Sequence, residues 1–244
     1  MRIETRRRTA AGSLALALIA VLGGCDLLGG DSGGDSPSAN APAPTERDRA
    51  KGGDAKQPAH SRGPGQQSES WDPIELAGTG SETVEFEIPD SSPAIVRFTH
   101  DDSGLFQATS YTSEGDYITF LTSGFFSYEG VRPLNFQGPP AGKFEINAEG
   151  KWTATIEPLS EVPEADAETK GGGDAVLRIA DLNASAVNVR HSGSSNFQVA
   201  AWGEEHRRYL VNEIGMFDSR VDIPEDALFL EIVADGGWRL DFDS

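Results

Sequence analysis

The chain has 244 residues, with 39 acids against 20 bases, one cysteine and four histidines. A net charge of −19 argues against nucleic acid and other polyanions as partners unless divalent cations intervene, and a single thiol rules out an intramolecular disulfide. His-Glu-x-x-His, P-loop and dinucleotide fingerprints are absent, so a zinc protease or nucleotide enzyme has no support from motifs.

At the N-terminus Arg2, Arg6, Arg7 and Arg8 form a basic region, followed by an apolar run from Ala11 to Leu22. A run of about a dozen residues is too short to cross a hydrocarbon core of ~30 Å. Leu22-Gly23-Gly24-Cys25 closes it. This order of features resembles the lipobox of bacterial lipoproteins. The resemblance implies that residues 1–24 are a signal peptide and that Cys25 carries a diacylglycerol thioether. Each buried methylene adds about 0.8 kcal/mol, and two chains suffice for stable anchoring. The membrane is then a partner through the lipid on Cys25, the head lies on the extracellular face, and the mature chain keeps no thiol for catalysis or metal binding.

Residues 25–70 are rich in Gly, Ser, Pro, Ala and Asp and nearly free of large apolar side chains. Such a stretch cannot bury enough surface to offset its ordering entropy, which predicts a disordered tether. As a flexible coil it would span roughly 35 to 40 Å. Residues 26–70 hold seven acids against five bases, so nearly all of the negative charge belongs to residues 71–244.

Beyond the tether the chain repeats itself. At a constant offset, Phe86 matches Leu177, Ile88 matches Ile179, Val96 matches Val187, His100 matches His191, and Phe106-Gln107 matches Phe197-Gln198. Further on, Ala148-Glu149-Gly150-Lys151-Trp152 matches Ala234-Asp235-Gly236-Gly237-Trp238. We expect module one over residues 71–157, an acidic linker over 158–170 and module two over 171–244. Within each module the apolar period is two: Val84, Phe86 and Ile88 alternate with Glu85 and Glu87, and Trp238, Leu240 and Phe242 repeat the pattern at the end. That period, broken by turns such as Pro89-Asp90-Ser91 and Gly138-Pro139-Pro140, predicts about seven short strands per module and no helix. The fold class is all-β: two tandem homologous antiparallel β-sandwich modules, of jelly-roll or immunoglobulin-like size, after a tether. Glu149-Gly150 and Asp235-Gly236 should form tight hairpins through left-handed glycines, with Trp152 and Trp238 capping the core beside them.

Asn196-Phe197, Val211-Asn212-Glu213 and the closing Gly-x-Trp resemble a small β-sandwich module that recurs in exported proteins and lipoproteins of high-GC Gram-positive bacteria. The resemblance implies fold and location and brings no activity.

Candidate ligand contacts come from the repeat. His100 and His191 fall at the end of the second strand, where they could reach a metal or a glycan or simply bond the polar hairpin beyond it. Asp101 and Asp102 are replaced in module two by Ser192 and Gly193, and calcium-loop spacing is absent, so no metal site is assigned. Tyr111 aligns with Trp202, and with Phe125, Phe126 and Tyr128 these rings could form a carbohydrate platform, or they could be core. Glu204 to Arg208 reads as a solvated charged turn. No catalytic residue and no cofactor is assigned: Asp101/Asp102 and Glu204/Glu205 are strand neighbours that point to opposite faces and so make a poor carboxylate dyad. The leading expectation is a non-catalytic binding lipoprotein for a cell-wall glycan or surface protein, with no nucleic-acid partner. A structural spacer or chaperone-like component contacting a basic partner is second, and a carboxylate hydrolase third.

Overall fold

The computed structural model describes residues 70–101, 103–204 and 206–243. The signal segment, Cys25 and the tether to residue 69 lie outside the described residues. Module one consists of β1 (Ile74–Thr79), β2 (Glu82–Glu85), β3 (Ala94–His100), β4 (Leu105–Tyr111), β5 (Tyr117–Phe125), β6 (Tyr128–Leu134), β7 (Lys143–Ala148) and β8 (Lys151–Pro158). Module two consists of β9 (Glu168–Gly172), β10 (Ala175–Arg178), β11 (Ala186–His191), β12 (Asn196–Trp202), β13 (Arg207–Ile214), β14 (Phe217–Asp222), β15 (Phe229–Val233) and β16 (Gly237–Phe242). In place of the seven strands expected per module there are eight among the described residues.

All pairings between strands are antiparallel, in sheets ordered β1-β8-β3-β6 and β2-β7-β4-β5 in module one. Module two repeats this order as β9-β16-β11-β14 and β10-β15-β12-β13. Two four-stranded sheets in this order make a jelly roll, built from two Greek keys. The period-two pattern drives each sandwich, because one face of every sheet is apolar and needs a second sheet to cover it. Phe98, Phe106, Phe144 and Ile146 fill the first core, and Val189, Phe197, Leu230 and Leu240 the second.

The repeat holds, with one slip. Val84 pairs with Phe144 and Leu177 pairs with Leu230, so the counterpart of Leu177 is Val84 rather than Phe86. Module one carries two extra residues between its second and third strands, around the 3-10 turn Pro89–Ser91. Two residues are one full strand period, so the slip leaves every side chain on its expected face. The stretch expected as a linker is also packed: Leu159, Val162 and Ala165 are buried, and β9 begins inside it at Glu168.

Each module closes on its tryptophan. Trp152 and Trp238 are buried, and their Nε1 atoms donate to the carbonyls of Gly80 and Gly173, both at 3.0 Å. Opposite them stand Gly78 and Gly171, where a Cβ would come within 2.4 Å of the indole ring. Gly150 takes the expected left-handed conformation at φ 84°. Gly236 does not; it is needed because a Cβ there would strike the Gly193 backbone at 2.7 Å. Truncating either indole to Ala should destabilise its module by about 3–5 kcal/mol, read as an earlier urea midpoint.

Candidate functional site

The two sandwiches meet through an apolar plug. Ile95, Val131, Phe136, Leu159 and Val162 pack against Val176, Trp202 and Phe229 of module two. Phe136 stands edge-on to Trp202 at 5.2 Å and to Phe229 at 5.5 Å. Along the seam the edges of β6 and β10 touch, with the Val131 amide donating to the Asp174 carbonyl at 3.0 Å.

Beside the plug lies a charged cluster shared by both modules. Glu231 is 2% exposed, and its Oε1 accepts from Arg132 Nη2 of module one at 2.8 Å. Its Oε2 accepts from Trp202 Nε1 and from Arg207 Nη2, each at 2.8 Å. Arg207 also lies 5.0 Å above Trp202 and 4.4 Å above Tyr209, so both rings add cation–π attraction. Asp174 stands 3.6 Å from Arg132, accepts from the Tyr128 hydroxyl at 2.7 Å, and takes the Ala234 amide at 3.1 Å. Burial first, then the Asp174 charge, push the Tyr128 phenol far above its ordinary range, so it serves as a neutral donor. Arg132 Nε and Nη1 and Arg207 Nε are buried and carry no hydrogen bond.

Above this cluster the modules leave a cleft of about 1150 Å³. One wall is β5, from Tyr117 to Phe125, and the other is the outer face of the β10-β15-β12-β13 sheet, with Gln198, Tyr209 and Val233. Arg132, Arg207 and Glu231 line it between the walls. Tyr117, Phe120, Phe125 and Tyr209 lie on this cleft with large parts of their rings in solvent.

The residues singled out from sequence are distributed otherwise than expected. Trp202 is 8% exposed, with Phe136 edge-on to it and Arg207 over it, so it holds the modules together and offers no free face for a sugar. Its counterpart Tyr111 lies half-buried on the open face of module one, edge-on to Tyr117 at 6.0 Å. Burial, then a hydrogen bond to Glu145, raise the Tyr111 phenol.

His100 and His191 are both buried and stack on Phe106 and Phe197. Each clamps the turn after the fifth strand of its module: His100 Nδ1 meets the Phe126 carbonyl at 3.1 Å, and His191 Nδ1 the Gly215 carbonyl at 2.8 Å. His100 Nε2 reaches the Glu149 carbonyl, whereas His191 Nε2 accepts the Gly193 amide at 3.3 Å and faces Asp235. Burial opposes charge on Asp235, yet hydrogen bonds from the Ser194 and Ser195 amides hold its carboxyl below the usual range. Asp102 and Glu205 lie outside the described residues, Asp101 and Glu204 are exposed, and among the described residues no three His, Cys, Asp or Glu side chains converge on a metal-binding position.

Sequence reasoning missed Arg132, Asp174, Arg207 and Glu231. Glu231 alternates with apolar Leu230 and Ile232 and therefore reads as solvent-facing; only the docking of a second module buries that face. A readable signal was Arg132, which stands where module two has Val221.

No family model and no curated sequence matches the chain. Among solved structures it is similar to the tandem CBM51 modules of the family 98 glycoside hydrolase from Streptococcus pneumoniae, at 8% identity and TM-score 0.23 over 70% of this chain and 84% of that one. It is also similar to the regulatory subunit of a cAMP-independent protein kinase A from Trypanosoma brucei, at 7% identity and TM-score 0.20 over 70% and 74%. A third similarity is to the stem and receptor-binding domain of spike protein P1 from bacteriophage PM2, at 11% identity and TM-score 0.17 over 72% and 80%. At these scores no functional statement passes from them to this chain.

Replacing Glu231 with Gln removes the counter-charge of the part-buried Arg207 and leaves the buried Arg132 with Asp174 alone, and should cost about 3 kcal/mol in urea unfolding. Replacing the set together, Glu231→Leu with Arg132→Met, Arg207→Met and Asp174→Asn, should recover most of that loss.

Proposed function

We propose that this chain is a lipid-anchored surface lipoprotein whose two-sandwich head binds an extracellular glycan or surface protein without catalysis, in the cleft between the modules. The cleft carries the reading. Its walls come from different modules, and exposed aromatic rings face it beside the polar side chains of Arg132, Gln198, Arg207 and Glu231. Binding sites are commonly concave, largely apolar and supplied with a few convergent polar groups, often at domain interfaces. The lipid anchor rests on the order of basic residues, apolar run and Leu22-Gly23-Gly24-Cys25.

Two measurements test this. The full chain should be retained on cell-wall polysaccharide or on a surface-protein column, and Phe120→Ala with Tyr209→Ala should abolish retention without changing the melting temperature. Retention unaffected by the pair would remove the cleft from the function, and retention that vanishes with salt would favour a charged scaffold contact. Separately, Cys25→Ser should move the protein from the membrane fraction to the soluble or uncleaved form; unchanged membrane association in a processed chain would exclude the lipid on Cys25.

A further inference from the structure

Resting on that reading of the cleft, we propose that its ligand is an uncharged glycan chain lying along the aromatic ridge of β5, so that module one reads the ligand while module two supplies the facing wall. The two modules do not carry two copies of one site.

A strained residue singles out module one. Phe126 has φ 77°, a left-handed conformation unfavourable for a bulky side chain, at the position where module two has Gly215 at φ 87°. Both carbonyls accept from the buried imidazole of their module, so the turn conformation is required in each. Glycine meets it without strain. In module one the strain is kept although the Phe126 ring is 68% exposed and gains little from the core. Strain retained for an exposed ring points to a contact outside the chain.

Phe126 directly follows the aromatic ridge of β5, although its own ring is not among the residues that line the cleft. Phe125 is 70% exposed, Tyr117 64% and Phe120 47%, along a strand that spans roughly 26 Å from Tyr117 to Phe125 at ~3.3 Å per residue. In module two the matching β13 has exposed Tyr209 and Ile214 at the counterparts of Phe120 and Phe125, but Arg207 at the counterpart of Tyr117 and Gly215 at that of Phe126. The ridge therefore suits an extended ligand, and the complete run of four rings stands only in module one.

The chemistry of the cleft narrows the class. Two guanidiniums face four carboxylates, Glu129, Asp174, Glu231 and Asp235, which disfavours a polyanion. The lining also carries the neutral polar side chains of Thr119, Ser123, Asn196 and Gln198, which can exchange hydrogen bonds with sugar hydroxyls. Separate aromatic faces suit the C–H faces of sugar rings. A peptide added as a strand is disfavoured, because the β4–β5 register shifts twice, leaving Ile118 and Leu121 as extra residues that break the free edge of β5.

The test is affinity electrophoresis of the full chain in neutral detergent through gels containing α-glucan, β-glucan, mannan, polygalacturonate or polylysine, at low and high salt. At least one neutral polymer should retard the chain independently of salt. Phe125→Ala and Phe126→Gly should each weaken that retardation at least tenfold, Phe126→Gly with no fall in melting temperature, while Ile214→Ala and Met216→Ala at the matching turn of module two leave it intact. Retardation by none of the neutral polymers, wild-type binding by Phe126→Gly, or equal loss in the module-two variants would overturn the proposal. Retardation by polygalacturonate or polylysine alone, lost in Phe125→Ala and Tyr209→Ala, would overturn the ligand class and leave the cleft as the site. Retardation by any polymer that survives both of those substitutions would overturn the cleft reading as well.

Discussion

Glu231 is the group on which the arrangement of the head depends. Its carboxylate is held from one side by Arg132 of module one and from the other by Trp202 and Arg207 of module two. The apolar plug of Phe136, Trp202 and Phe229 supplies attraction, but hydrophobic contact is non-directional and would tolerate sliding between two sheet faces. A buried carboxylate tolerates none, since each lost partner leaves a charge uncompensated in a dry site. The plug thus brings the modules together and the charges fix their register. The cleft results from that register, because its two walls belong to different modules.

The duplication supplies an internal control for burial. Tyr111 and Glu145 in module one form the same aromatic-donor and carboxylate pair as Trp202 and Glu231 in module two. One pair faces solvent and the other lies under a second sandwich. Position on the strand is identical, so the difference in environment comes entirely from docking. The buried histidines and the Gly-opposed tryptophans behave the other way: they perform the same structural task in both modules because their surroundings are internal to each sandwich.

The turn after the fifth strand combines both kinds of constraint. A buried imidazole fixes its backbone in each module, which frees the residue at its tip to vary. Module two uses glycine there and places Ile214 and Met216 on either side; module one uses Phe126 next to Phe125.

The features that sequence alone determined come from short-range physics. A period of two fixes which side chains share a face, so the all-β class, the two modules and the burial of Trp152 and Trp238 were legible without coordinates. A two-residue slip in the alignment did no harm, because it preserved that period. The linker, the role of Trp202 and the Arg132–Glu231–Arg207 cluster were decided by tertiary structure. Each depends on which outer sheet face meets another, and an outward residue carries the same local pattern whether it meets water or a second module. The strain at Phe126 was hidden for a similar reason: its backbone is set by His100, 26 residues away in sequence and reached only once the sandwich has closed.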